Sequence, residues 1–346
     1  KVQLKTLHYS SQKENDTFWN TDIKSLTFDR LKDNIHTEVL IIGGGIAGIT
    51  TAYNLLKAGK KIVLIEESFL GSGGTGNSSG HVTACLDIRY FNLVKNIGLK
   101  QAARVANSHL AAIEWIDRTI RHEKINCNFK RINGYLFSDK TELIKKEYEA
   151  TKHLGLATEI LTNVPAITYP EKYLCIQFSE QAQLHVINYL KGLINAIIRL
   201  GGEIYCHTKA EHISSNQVTA NSHKIIADHI VITTNTSFNN KKFNIEQTAY
   251  CSYVIALKVP KGKLPYALWW EIKDNTDASS QLQSYCYARL ERYDDLNDML
   301  IVGGEDNEIN DSLKNNKTIE NNKYTSLLQW ARGRFKVTEE AEYKWS

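Results

Sequence analysis

The sequence predicts an α/β chain of two interleaved domains, one built on a parallel strand–helix–strand unit and the other an α+β unit on a mixed or antiparallel sheet. Three observations carry this expectation. Residues 39–66 hold an apolar run (VLII), a glycine string (GGGIAG), an amphipathic stretch and a second apolar run (IVLI) that ends on Glu66. Segments 249–259, 264–272, 281–290 and 299–302 alternate apolar and polar residues, as strands of a half-buried second sheet do. Between them, residues 202–213 read as a strand, and residues 213–235 as a hairpin followed by a strand that returns to the first unit. A chain of 346 residues with 42% hydrophobic content is long enough to bury two cores.

The first unit is the most specific. An N-terminal arm carrying Phe18 and Trp19 leads into the VLII strand. Gly43 permits the tight turn that follows, Gly45 leaves room for a close backbone approach to a pyrophosphate, and Gly48 lets the next helix pack tightly on the sheet. Ile46, Ala47 and Gly48 open that helix, so their backbone N–H groups and the positive end of its dipole face the diphosphate. The helix runs to Gly59, a natural left-handed cap. The second strand then delivers Glu66 at the distance, roughly 20 residues on, where a carboxylate accepts ribose hydroxyls. This is a Rossmann-like unit for the ADP half of FAD or NAD; an acid at this position repels a 2′-phosphate and argues against NADP.

The elements after Glu66 follow from local chemistry. Residues 71–83 (GSGGTGNSSGHVT) cannot hold a helix, because glycine costs about 1 kcal/mol against alanine and Ser and Asn compete for backbone bonds. Such a run either wraps a ligand, offering N–H groups and the hydroxyls of Thr75, Ser78 and Ser79, or serves as a flexible linker. Residues 91–123 carry an apolar stripe at helical spacing. GYLFSD reads as a strand, 141–155 as a helix ending in glycine, and 185–200 as an amphipathic helix closed by Gly201 and Gly202. Residues 305–323 read as a surface loop or a weak helix start.

GGGIAG with its helix, IEE after the second strand (Glu66, Glu67) and TGNSSGHVT together resemble the D-amino acid oxidase-like, or DAO-type, FAD-dependent oxidoreductases. The resemblance is greatest to the bacterial branch that carries a C-terminal Rieske iron–sulfur domain. It continues in RINGYLFSD (131–139), QAQLHVINYLKGLINAIIRLGGEIY (181–205), LIVGGED (300–306) and LLQWARGRF (327–335). It implies a Rossmann-like FAD-binding domain from 37–90 and 181–240, and a substrate domain from 91–180 and 241–318. Residues 1–36 form the arm, and 319–346 a helix leading back toward the FAD domain. Two features depart from the pattern. Thr233, Thr234 and Asn235 stand where relatives carry a glycine, and the chain ends at Ser346 where similar proteins continue into the nucleotide domain. The expectation is an internal portion of a longer protein.

The resemblance implies FAD held by Gly43, Gly45, Ile46, Ala47, Gly48, Glu66, Glu67, Thr75, Gly76, Asn77, Ser78, Ser79, His81, Val82, Thr83, Ala210, Thr233, Thr234 and Asn235. It implies oxidation of a C–N bond of an amino acid or secondary amine by hydride transfer to flavin N5, with a Rieske centre or another acceptor taking the electrons. In SYCYARL, period-two alternation puts Tyr285, Tyr287 and Arg289 on one strand face. Arg289 is the candidate clamp for a substrate carboxylate, with Tyr287 orienting it; the alternative is an arginine at a sheet edge paired to an acid such as Glu291. His81 either contacts the flavin or is a loop histidine bonded locally. His185 reads as a helix-cap residue. Trp269 and Trp270 read either as a cavity wall or as one core and one edge residue. A non-catalytic nucleotide-binding module and a docking subunit of a larger dehydrogenase are the alternatives to an enzyme.

Composition narrows the rest. Lys plus Arg number 42 against 38 Asp plus Glu, a net +4, so nucleic-acid binding is not indicated. No apolar run approaches the ~18–20 residues that span a bilayer, and the N-terminus has no signal-peptide core. The six cysteines form no CxxC or CxH pair, which excludes a zinc ribbon or a Rieske ligand set from these residues. Reduced thiols in a cytoplasm are the expectation.

Overall fold

The computed structural model describes residues 17–19, 28–168, 173–234, 250–273, 285–308 and 317–346. Strand β1 (Ile35–Ile42) leads into helix α1 (Ile46–Lys57), β2 (Ile62–Ile65) and β3 (His81–Val82). Helices α2 (Tyr90–Ile97) and α3 (Leu99–Glu123) precede β4 (Lys130–Ser138), α4 (Thr141–His153), β5 (Thr158–Leu161) and β6 (Leu174–Gln183). Then come α5 (Val186–Arg199), β7 (Glu203–Tyr205), β8 (Ala210–Ile213), β9 (Gln217–Ala220) and β10 (His223–Ile232). The chain closes with β11 (Tyr250–Pro260), β12 (Leu268–Ile272), β13 (Tyr285–Arg292), β14 (Asn297–Glu308), α6 (Lys317–Phe335) and β15 (Ala341–Trp345).

The strands form two sheets. One has the order β7-β2-β1-β10-β9-β8; β7, β2, β1 and β10 run parallel, and β9 and β8 follow as antiparallel neighbours. Parallel strands covered on both faces need continuous apolar runs, and every residue of β2 is buried, as are Leu40 and Ile41 of β1. The other sheet has the order β15-β11-β14-β13-β12-β4-β6-β3, with β5 beside β6, and is antiparallel except at the β12–β4 pair. The mixed α/β architecture expected from the sequence is therefore the one observed.

Three local differences have physical causes. The single helix expected over 91–123 is two, because Gly98 adopts φ +78° and breaks the ladder between α2 and α3. The strand expected over 202–213 is split: β7 and β8 lie at opposite edges of the first sheet. Between them the chain crosses the carboxyl end of β2, where the amides of His207 and Thr208 donate to the carbonyls of Ser68 and Glu66. The β9–β10 hairpin turns on Asn221 and Ser222, both at positive φ, the conformation that matches the twist of paired strands. Third, β3 and β6 belong to the second sheet, so residues 81–82 and 181–183 sit across the boundaries expected for the nucleotide domain.

Apolar cores lie on both sides of each sheet. α1 and α5 pack on one face of the first sheet through Ile49, Ala52, Leu190 and Ile194. α6 covers one face of the second sheet through Leu327, Trp330 and Phe335, and α2 to α4 cover the other. Glu271 on β12 ties α6 in place by accepting from Tyr173, Trp330 and Arg334. Among the described residues no helix is long and apolar enough to cross a membrane.

A candidate dinucleotide cleft facing an aromatic floor

A cleft of about 1050 Å³ opens at the carboxyl ends of β1, β2 and β10, the place where ligands bind in open α/β sheets. Its floor is the turn from β1 into α1. Gly43 stands at φ +114°, and a Cβ there would lie 2.8 Å from the Thr233 carbonyl oxygen. A Cβ on Gly48 would lie 1.9 Å from the Gly43 carbonyl oxygen, so α1 packs against the strand turn only because this residue has no side chain. Thr233 completes the turn: its amide and hydroxyl both donate to the Ile42 carbonyl at 2.8 Å.

The first turn of α1 has no side-chain cap of its own. Its Ile46 amide donates to the Thr75 hydroxyl at 2.9 Å, which brings the hydroxyl-rich loop onto the helix N-terminus. Glu66 reaches the same turn. One carboxylate oxygen accepts from the Gly44 amide at 2.7 Å and the other from the Ser68 amide at 2.9 Å, and a carboxylate keeps further lone pairs for hydroxyl donors. An N-terminal helix turn, a Cβ-free approach and an acid at the second strand form a donor and acceptor set that fits a dinucleotide.

Gly43, Gly45, Ile46, Ala47, Glu66, Glu67, Thr75, Ser78, His81, Val82, Ala210, Thr233 and Thr234 all line the cleft. Gly48 lies beneath its floor. Thr83 faces away, donating to Gln181 at 2.9 Å, and Ser79 bonds to the His81 ring at 2.8 Å. Neither Gly76 nor Asn77 is part of the lining, and Asn235 lies outside the described residues. Sequence reasoning missed Tyr189, Thr208 and Lys209. The last two ride on the β7–β8 crossing that was read as one strand, so no periodic signal marked them.

At its far end the cleft meets the second sheet at His81. This ring packs 5.2 Å from Tyr287 and 5.6 Å from Trp270. Both aromatic rings lie on glycines: a Cβ at Gly303 would stand 2.2 Å from Tyr287 Cζ, and one at Gly134 would stand 2.6 Å from Trp270 Cζ3. The two rings thus form an aromatic patch behind His81, with the Tyr287 phenol kept protonated because burial pushes its pKa up. Tyr285 continues the row, its ring 6.0 Å from that of Tyr287. Burial, together with the charges of Asp87 and Asp306, pushes its pKa up. Trp269, on the opposite strand face, is fully buried in the other core and donates to the Pro165 carbonyl at 3.0 Å.

Arg289 requires a correction. It is fully buried, and its guanidinium donates to the carbonyls of Ser79, Leu184 and Leu290 and, at 2.8 Å, to the equally buried Glu291. No fork remains for a substrate carboxylate. The pairing with Glu291 was one of the alternatives, but at the centre of the sheet, not at an edge. His185 accepts from the Asn188 amide as the N-cap of α5.

His81 has a measurable signature. Burial, and next the charge of Arg289, push its pKa down to about 3 from the usual 6.5. The unfolded chain therefore takes up a proton near pH 6.5 that the folded chain refuses until about pH 3. Stability is fully present above pH 6.5 and is lost as the pH falls through that window. His81→Gln is expected to shrink the drop in thermal midpoint between pH 7 and pH 5; an unchanged drop would contradict the assignment.

The family model described as FAD dependent oxidoreductase, DAO, matches residues 38–346. Among curated proteins, the chain is 32% identical over 266 residues to "Putative Rieske 2Fe-2S iron-sulfur protein YhfW" of Bacillus subtilis, covering 74% of this chain and 52% of that protein. It is 22% identical over 227 residues to "Gamma-glutamylputrescine oxidoreductase" of Escherichia coli, covering 63% and 53%. The chain thus spans about half the length of the curated relatives it matches. Among solved structures, glycine oxidase from Bacillus cereus superposes with a TM-score of 0.65 at 17% identity, over 89% of this chain and 81% of that one.

Proposed function

Because the chain belongs to the DAO family of FAD dependent oxidoreductases, we propose that it oxidises a C–N bond of an amino acid or amine. The observation that carries this reading is the length of the cleft, which runs from the Gly43–Ala47 turn to His81, whose ring packs against Tyr287 and Trp270 of the second sheet. FAD, when bound, supplies the hydride-accepting chemistry. The α1 N-terminus and Thr75 would hold its diphosphate, Glu66 its ribose, and the β8 end at Ala210 its adenine. Thr233, Thr234, His81 and Val82 line the remaining length.

The residues of the second sheet do the rest. Behind His81, Tyr287 and Trp270 seal that end of the cleft against water and give it an aromatic wall. Asp87 and Asp306 place negative charge beside Tyr285, and one Asp306 oxygen is buried without a partner. That field favours an amine end of the substrate, while Arg289 is unavailable to a carboxylate. We further propose that electrons pass to a Rieske centre outside these residues, as the name of the Bacillus relative suggests.

Anaerobic mixing of the FAD-loaded chain with a panel of amines and amino acids tests the reading: at least one is expected to bleach the flavin absorbance. No bleaching with any would leave a nucleotide-binding module or docking subunit. With a substrate in hand, Tyr287→Ala, which opens the floor to water, is expected to lower kcat/KM by about tenfold or more, each factor of ten corresponding to about 1.4 kcal/mol. An unaltered kcat/KM would remove Tyr287 from the site.

A further inference from the structure

Three consecutive carbonyls of the loop that borders the cleft are each held by a side chain from a remote part of the chain. The indole N–H of Trp345, at the end of β15, donates to the Asn77 carbonyl at 3.0 Å. That of Trp19, from the N-terminal arm, donates to the Ser78 carbonyl at 2.7 Å. Arg289 Nε, from β13, donates to the Ser79 carbonyl at 2.5 Å. The next carbonyl, that of Gly80, accepts from the Leu184 amide at 3.2 Å. All three side chains are buried, and the Arg289 guanidinium lies 5.5 Å from the Trp19 ring centroid. Gly80 sits at φ +75°, and a Cβ there would stand 2.5 Å from the Leu184 carbonyl oxygen and 2.6 Å from Arg289 Nη2. None of the three side chains lines the cleft, whereas Ser78 and Gly80 do.

A run of glycine and hydroxyl residues has little regular structure of its own. Ordering it costs backbone entropy at every residue, and the apparent affinity of a ligand that needs the ordered form scales with the fraction of time the loop spends in that form. Donors anchored at two strands of the second sheet and in the arm meet that cost before any ligand arrives.

We propose that Trp19, Trp345 and Arg289 are positioning residues that set the affinity for FAD by holding the backbone of residues 77–80 in its binding form, without touching the cofactor. The proposal rests on the reading of the cleft as the FAD site. Because the donors lie at positions 19, 289 and 345, the loop is held only when the arm and the second sheet, its β15 edge strand included, are in place, which couples cofactor retention to the completed fold.

Trp19→Phe and Trp345→Phe keep an aromatic ring in each slot and remove only the N–H. Trp269→Phe removes the same kind of buried bond, to Pro165, in a core remote from the loop. For each variant of the chain, FAD affinity is read from quenching of flavin fluorescence, and amide hydrogen exchange of residues 71–83 is read in the FAD-free protein. The two loop variants are expected to bind FAD about three- to tenfold more weakly, with the double variant at least tenfold weaker. Exchange should accelerate at residues 77–80, and Trp269→Phe should leave both readouts unchanged. Wild-type affinity and exchange in the loop variants would overturn the proposal, as would an equal loss in Trp269→Phe, which marks a general loss of stability. A wild-type chain that takes up no FAD would instead overturn the reading of the cleft, and the exchange rates alone would then decide whether the indoles hold the loop.

Discussion

Gly48→Ala is expected to abolish tight FAD retention and to lower the thermal midpoint, the largest effect of any single methyl group in the chain. The added Cβ would stand 1.9 Å from the Gly43 carbonyl oxygen and 2.8 Å from the Thr233 hydroxyl. The first contact is with backbone and cannot be relieved by a rotamer change, so α1 must lift from the sheet. Overpacking of this kind costs about 1–3 kcal/mol, and it displaces the helix N-terminus that faces the diphosphate. FAD affinity should fall by at least about tenfold. Gly333→Ala is the matched control: the position is exposed on α6, and nothing lies within 4 Å of a Cβ there. It is expected to be neutral or stabilising by about 0.5–1 kcal/mol. Equal FAD affinity in the wild type and in Gly48→Ala would show that the turn is not the diphosphate site.

Glu291→Gln should produce the largest loss of stability. The Arg289–Glu291 pair is fully buried on both sides, and Asn128 donates to the second carboxylate oxygen at 2.8 Å. Removing one charge leaves the other uncompensated in a low-dielectric interior, at a cost of about 3–5 kcal/mol. Glutamine preserves the shape, so the loss reports charge and not packing. Urea unfolding of Glu291→Gln is expected to show the lowered midpoint. An unfolding free energy lowered by less than about 1 kcal/mol, the range of an exposed pair, would mean that the pair is solvated in solution.

How far the site was legible in the sequence depended on how local its determinants are. The turn at Gly43 to Gly48, the Gly59 cap and Glu66 were readable because each is specified within a few residues of a strand end, where glycine and an acid have few other uses. Thr75 and Ser78 were readable as a hydroxyl loop beside that unit. The role of Arg289 was not, because alternation places a side chain on a face but does not say what lies above it; its partners Ser79 and Leu184 are remote in sequence. The break at Gly98 was hidden by an apolar stripe that continues through it. The β7–β8 crossing was hidden because both halves have strand composition, and only contacts with Glu66 and Ser68 divide them. The aromatic floor was half legible: Tyr287 lay on a recognisable strand face, but its ring has room only because Gly303 stands opposite on β14.

The central claim is that this cleft holds FAD, and the most direct test is the visible absorbance spectrum of the purified chain together with identification of any cofactor released on denaturation. A flavin spectrum with FAD released, or regained on adding FAD, is the expected result. A colourless protein that takes up no added FAD would contradict it.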